Sequence, residues 1–122
     1  MIEGIGIDVV EILRLQHTVE VWGDQFLRRI YTDRELGYAR SKKDPMPHLA
    51  ARFAGTEAVS TARATGWKSG LRWKDVEVEN DESGKPTVIL HGGAKNRLKE
   101  GKILVSISHS DNVVVACAIL EE

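Results

Sequence analysis

Hydrophobic and polar positions alternate at the start of the chain: in residues 2–10 Ile5, Ile7 and Val9 share one face, while Gly4, Gly6 and Asp8 share the other. This predicts a strand with one nearly bare face. A mostly polar helical stretch follows over residues 11–30, broken near Gly23. Thr32 with Glu35 three residues on is a capping box for a short helix that ends near Ser41. Residues 41–47 hold two lysines and two prolines and read as a loop, with Pro47 opening the next helix. The alanine-rich run 47–65 favours a long helix that Gly66 is placed to end. After a tryptophan-containing loop come strands at 76–79 and 87–90 around the turn DESGKP, a helix at 94–99, and a strand pair at 103–108 and 113–120 around HSDN. Helices and strands do not alternate regularly, so the pattern predicts an α+β fold, the long helix packed on a mainly antiparallel sheet.

A chain of 122 residues suits a single domain, 1–122. Seventeen basic against eighteen acidic residues give no bulk attraction to nucleic acid, and the apolar runs are far shorter than a membrane span of roughly 20 residues. The opening MIEGIGIDVVEIL lacks the basic start of a secretory leader, so a cytoplasmic location is expected. Cys117 stands alone inside VVVACAIL, which predicts a buried thiol without a chemical task.

Two acids stand where apolar residues are expected. On a helical wheel Glu57 shares an arc with Phe53, Ala50, Ala54 and Ala64, while Arg52 and Arg63 lie on another side. An ionised carboxylate in such a setting must be paired, protonated or bound to a cation. Asp8 sits mid-strand beside glycines that clear space for something bulky. If the first strand packs beside the long helix, the two acids converge, and two carboxylates with waters are a common way of holding Mg²⁺ against a phosphate. The competing reading has Asp8 capping the following helix and Glu57 pairing with an arginine. Two nucleotide motifs are excluded. GIGIDV has Val9 at the third glycine position of a dinucleotide fingerprint, and SGKPT has Pro86 and Asn80 where a P-loop needs Ser or Thr and glycine.

Taken together, GIGIDVVEI from Gly4, LAARFAGTEAVSTARATG from Leu49, GKP from Gly84 and VSISHS from Val105 resemble the holo-acyl-carrier-protein synthases, small 4'-phosphopantetheinyl transferases. The resemblance implies transfer of 4'-phosphopantetheine from coenzyme A to a serine of an apo acyl carrier protein, releasing 3',5'-ADP. It also implies a homotrimer with coenzyme A in clefts between subunits. Asp8 and Glu57 match the family's ligands for Mg²⁺, and Glu57, a metal-bound water or His109 is the implied proton acceptor. Arg52, Ser60, Lys85, Ser108 and His109 match positions near coenzyme A. Arg14, with Phe26, Arg28 and Arg29, matches the surface that meets the acidic carrier, although residues 10–45 hold seven basic and six acidic side chains, so only a local cluster can steer it. Read without the resemblance, Arg52 is a surface charge, Lys85 a solvated turn residue, and Ser108 and His109 the polar start of a turn.

The chain departs from the family pattern in one place. Thr56 and Thr61 stand where lysines usually flank the glutamate, and a lysine one turn beyond Glu57 would balance phosphate charge. The alternative reading that follows is a relative that binds coenzyme A or the carrier with little transfer.

Overall fold

The computed structural model describes residues 1–63, 72–98 and 101–121. In chain order the elements are β1 (Ile2–Glu11), α1 (Ile12–Ile30), α2 (Asp33–Arg40), α3 (Met46–Ala62), a 3₁₀ turn (Trp73–Asp75), β2 (Val76–Asn80), β3 (Pro86–Leu90), α4 (Gly92–Leu98), β4 (Lys102–His109) and β5 (Val113–Glu121). β5 pairs antiparallel with β1 on one side and β4 on the other, and β2 pairs antiparallel with β3 in a separate two-stranded sheet. The antiparallel α+β arrangement agrees with the sequence pattern, but the strands form two sheets where the pattern suggested one.

Local signals act where expected. α1 kinks at Gly23, whose φ of 58° is a conformation other residues adopt only with strain. The Thr32–Glu35 capping box is present. Glu35 extends it: its second carboxylate oxygen accepts from the Val78 N–H at 3.0 Å, tying α2 to β2. α3 begins one residue before the expected Pro47, and its predicted last turn and the stop at Gly66 lie outside the described residues.

α3 is built for close approach. Ala50, Ala54 and Ala58, spaced one turn apart, are fully buried, and they pack against the inward row of β5, Val114, Ala116, Ala118 and Leu120. The bare face of β1 lies against the same helix. A Cβ added at Gly4 would stand 2.2 Å from the Ala62 carbonyl oxygen. The glycines therefore make room for the backbone of α3 and not for a ligand, correcting the expectation drawn from β1 alone.

The alternating apolar row is also not where a core residue belongs. Ile5, Ile7 and Val9 are 66%, 64% and 58% exposed, and they continue across the outer face of the sheet to Ile119, Cys117 and Val115. Cys117 is thus half-exposed on that face, because β5 puts its alanines inward and its odd-numbered residues outward. The expected buried thiol is corrected accordingly.

Candidate active site

Asp8 projects from the inner face of β1, paired in register with Ala116 of β5, so it meets α3 where the two glycines let the helix come close. Glu57 is on that stretch of helix. Its carboxyl is pushed above the usual range, first by burial and then by the charge of Asp8, and no basic side chain among the described residues offsets this. Burial likewise raises Asp8, against a backbone hydrogen bond from Val9. α1 carries no side-chain N-cap, so Asp8 does not cap it. The two acids that the sequence singled out are brought together, and the charge of Asp8 makes Glu57 costlier to ionise.

Beside them opens a cavity of about 260 Å³ whose walls include Asp8, Arg14, Leu15, Phe26 and Phe53. Phe26 is partly structural there, stacked on Phe53 with ring centroids 6.5 Å apart and set edge-on to Tyr31 at the same separation. Arg14 is exposed and lies 3.6 Å from Glu11. Arg28 and Arg29 are exposed on the last turn of α1, and Arg29 lines a neighbouring hollow with Trp22 and Gln25. Trp22 is 60% exposed and Leu13 73%. The sequence reading passed over both, although large apolar residues on a mostly polar helix were a usable signal.

A second cavity, of about 300 Å³, lies elsewhere on α3 and is lined by Tyr38, His48, Arg52, Asn80 and His109 among others. Arg52 is not the surface charge that its type suggests: it is 3% exposed. One terminal nitrogen donates to Asn80 Oδ1 at 2.6 Å, the other reaches the His48 carbonyl at 3.4 Å, and buried Nε has no hydrogen-bond partner. Burial lowers the His48 pKa, with Arg52, Lys42 and His109 adding to the effect against Asp44. Arg52 thus supplies positive charge to these walls, while His48 is held toward its neutral, hydrogen-bonding form. Tyr38, His48 and Asn80 were not found from sequence, because they come from α2, α3 and β2 and meet only in three dimensions.

The remaining predicted residues divide between faces. His109 is in register with Val114, on the inner side of the sheet, but in the Arg52 cavity; two strand spacings, roughly 10 Å, separate β4 from β1. Ser108 is in register with Val115 and faces outward, beside the apolar row. Ser60 is half-buried on α3. Lys85 lies in a turn organised by Asp81, whose Oδ1 accepts from the Ser83 and Lys85 N–H groups at 2.9 Å each. Its neighbours Gly84 and Pro86 line the Arg52 cavity. One chain therefore gathers Asp8 and Glu57 in one place and Arg52 and His109 in another.

Among the described residues no cluster of three or more His, Cys, Asp or Glu side chains is available to enclose a metal. Two hard oxygen ligands with room for water and phosphate suit Mg²⁺, which keeps much of its hydration shell, better than a metal that needs a full protein cage. Two adjacent acids without a basic partner among the described residues fit such an ion. No helix among the described residues is long and apolar enough to cross a membrane.

Comparison with known proteins bears on what this arrangement does. Residues 4–118 match the model of the 4'-phosphopantetheinyl transferase superfamily. The holo-[acyl-carrier-protein] synthase of Solibacter usitatus is 44% identical over 124 residues, covering 99% of both chains. The crystal structure of the Neisseria meningitidis holo-[acyl-carrier-protein] synthase superposes with a TM-score of 0.91 at 30% identity over the whole of both chains. That of the Bacillus anthracis synthase, in complex with CoA (3',5'-ADP), does so with a TM-score of 0.83 at 37% identity, covering 100% of this chain and 98% of the other.

Proposed function

The chain belongs to the 4'-phosphopantetheinyl transferase superfamily, as a holo-[acyl-carrier-protein] synthase that moves 4'-phosphopantetheine from coenzyme A to an apo acyl carrier protein, and we propose that the cleft of Asp8 and Glu57 is where it does so. The observation that carries this reading is the strain on two half-buried carboxylates, Glu57 raised by burial and by the charge of Asp8, with no basic side chain among the described residues offsetting it.

Asp8 and Glu57 would hold Mg²⁺, which when bound neutralises pyrophosphate charge and eases departure of the leaving group. The rest falls to the chain. The carrier serine oxygen forms a bond to the phosphorus next to the pantetheine arm, the bridging P–O bond breaks, and 3',5'-ADP leaves with the electron pair. The serine proton passes to the Glu57 carboxylate, which stands in the cleft itself. Positioning and charge neutralisation supply most of the rate in such transfers.

Coenzyme A carries a second anionic group, the 3'-phosphate, and the cavity with the Arg52 cation and the hydrogen-bonding rings of His48 and His109 suits it, with Lys85 and Ser60 nearer the pyrophosphate. Because that cavity and the Asp8–Glu57 cleft lie apart in one chain, the substrate spans two copies. The outward row Ile5, Ile7, Val9, Leu104 and Ile119 is an apolar face of the kind a neighbouring copy covers, and it carries Ser108 to the boundary. A homotrimer closes such a set of clefts. The acidic carrier then docks on α1, where exposed Arg14, Arg28 and Arg29 surround Phe26 and Trp22.

Mass spectrometry of apo carrier protein incubated with coenzyme A tests the assignment. The wild-type protein is expected to add one pantetheinyl group over many turnovers when Mg²⁺ is present and none after chelation. A folded Asp8→Asn variant that transfers at the wild-type rate would remove Asp8 and its cleft from the mechanism.

A further inference from the structure

Tyr38 has no part in the transfer as described, yet it is the centre of the charged groups around the second cavity. The Arg52 guanidinium carbon lies 4.0 Å from the centre of its ring, and the Lys42 ammonium lies 4.7 Å from it. His48 packs edge-on against the same ring, at 5.7 Å and 78°. One aromatic ring thus organises two cations and an imidazole, of which Arg52 and His48 border the cavity where His109 also stands.

Arg52 is under competing pulls. Glu35, a buried carboxylate on α2, attracts it through space, while a short hydrogen bond goes to Asn80 and the Tyr38 side chain supplies a further one. Asn80 is itself fixed, donating from Nδ2 to the Gly84 carbonyl at 2.9 Å. With Nε unpartnered among the described residues, the guanidinium relies on the Tyr38 side chain, which hydrogen-bonds it and lies against it, to stay in the cavity wall. The ring adds a hold of its own, since a cation over an aromatic face is attracted by the ring's electrons, most strongly where water is excluded. A buried, long side chain is costly to fix, so an element that fixes it before the ligand arrives improves binding of that ligand.

We propose that Tyr38 is a positioning residue that holds Arg52 in the cavity wall and thereby sets the discrimination between coenzyme A and its analogue without the 3'-phosphate. The inference rests on the reading of this cavity as the place of the 3'-phosphate. Tyr38 touches neither the reacting phosphorus nor the serine. Its effect is therefore confined to recognition of the donor.

The test is steady-state transfer to apo carrier protein by the full chain, with coenzyme A and with dephospho-coenzyme A as donors. For the wild type, KM is expected to be lower for coenzyme A. In Tyr38→Leu the KM for coenzyme A rises about tenfold, the effect of losing one desolvated cation–aromatic contact. Its kcat and its KM for dephospho-coenzyme A stay as in the wild type, which also certifies the fold. Tyr38→Phe keeps the ring face, gives up only the hydroxyl's hydrogen bond to Arg52, and retains most of the wild-type ratio. Tyr38→Met, which removes the face while keeping an apolar side chain of similar reach, gives the same answer should the leucine variant fold poorly. Equal losses with both donors, or an unchanged ratio in variants that lack the ring, overturn the role of Tyr38. A wild type that treats the two donors alike instead overturns the assignment of the cavity, and the inference falls with it.

Discussion

Gly6 of β1 lies directly beneath Ala58 of α3, so close that a Cβ at Gly6 would stand 2.0 Å from the Ala58 carbonyl oxygen and 2.6 Å from the Ala62 nitrogen. The obstacle is helix backbone, which cannot turn aside as a side chain can. Gly6→Ala is therefore expected to force β1 and α3 apart, costing about 1–3 kcal/mol. Calorimetry should show the melting temperature falling by several degrees, with transfer falling too as Asp8 moves from Glu57. Gly23→Ala is a useful contrast: nothing lies within 4 Å, and only its positive φ opposes the change. A Gly6→Ala protein no less stable than Gly23→Ala would show that the close approach is not required.

The strain between Asp8 and Glu57 has a thermal signature. A carboxyl whose folded pKa is raised costs stability as pH climbs from its unfolded value through the folded one, because the folded state must then give up a proton more reluctantly than the unfolded chain. Without divalent metal at pH 7, Glu57→Gln is expected to melt higher than the wild type. Adding Mg²⁺ should raise the wild-type melting temperature and leave the variant's unchanged. Equal metal responses in the two proteins would place the ion elsewhere.

Glu77 makes the opposite contribution. Burial pushes its carboxyl up, but hydrogen bonds from Thr32 and His91 and the charge of Arg34 outweigh this, leaving the pKa below its ordinary 4.5. His91 Nε2 is 3.0 Å away. A depressed carboxyl stabilises the fold above its unfolded pKa, and that stability is lost as pH falls from about 4.5 through the lower folded value. Glu77→Gln should cost about 1–2 kcal/mol at pH 7 and much less near pH 3, seen as a flatter acid limb in denaturant titrations. An acid limb unchanged by the substitution would assign that pH dependence to other groups.

Thr56 and Thr61, which the resemblance sets where lysines are usual, sit in different settings. Thr61 is exposed one turn beyond Glu57, its hydroxyl donating to the Glu57 carbonyl at 3.0 Å. Thr56 is 5% exposed beneath β2, its hydroxyl 3.4 Å from the Val76 carbonyl. Thr61→Lys is expected to raise kcat roughly tenfold, part of the 10²-fold or more that a well-placed charge contributes. Thr56→Lys has no open path for its ammonium and should lower stability with little gain in rate. Rate measurements with purified carrier protein separate the two, and a Thr61→Lys rate equal to the wild type would show the missing charge to be supplied elsewhere.

The apolar outer row predicts assembly. Ile7, 64% exposed at its centre, should be covered by a neighbouring copy. Ile7→Glu is expected to convert a trimer in sedimentation velocity to monomers and to abolish transfer, since no single chain completes the cleft. A monomeric wild type with full activity would end that account.

The sequence alone determined the elements, the kink at Gly23, the cap on α2 and the two acids worth watching. These follow from residue spacing and from backbone preferences that act over a few residues. It also marked Glu57 as a carboxylate in an apolar arc, because helical periodicity is local. Only the tertiary structure decided which face of β1 meets the helix. Alternation says that two faces differ, but the glycine face became the packed one because backbone needs less room than side chains, and that left Ile5, Ile7 and Val9 outside. Tertiary structure likewise turned Arg52 from a helix-surface charge into a buried anchor held by Tyr38 and Asn80, since its partners come from segments far away in the chain. Side-chain chemistry can be read one residue at a time, but burial and partnership belong to pairs, and the fold chooses the pairs.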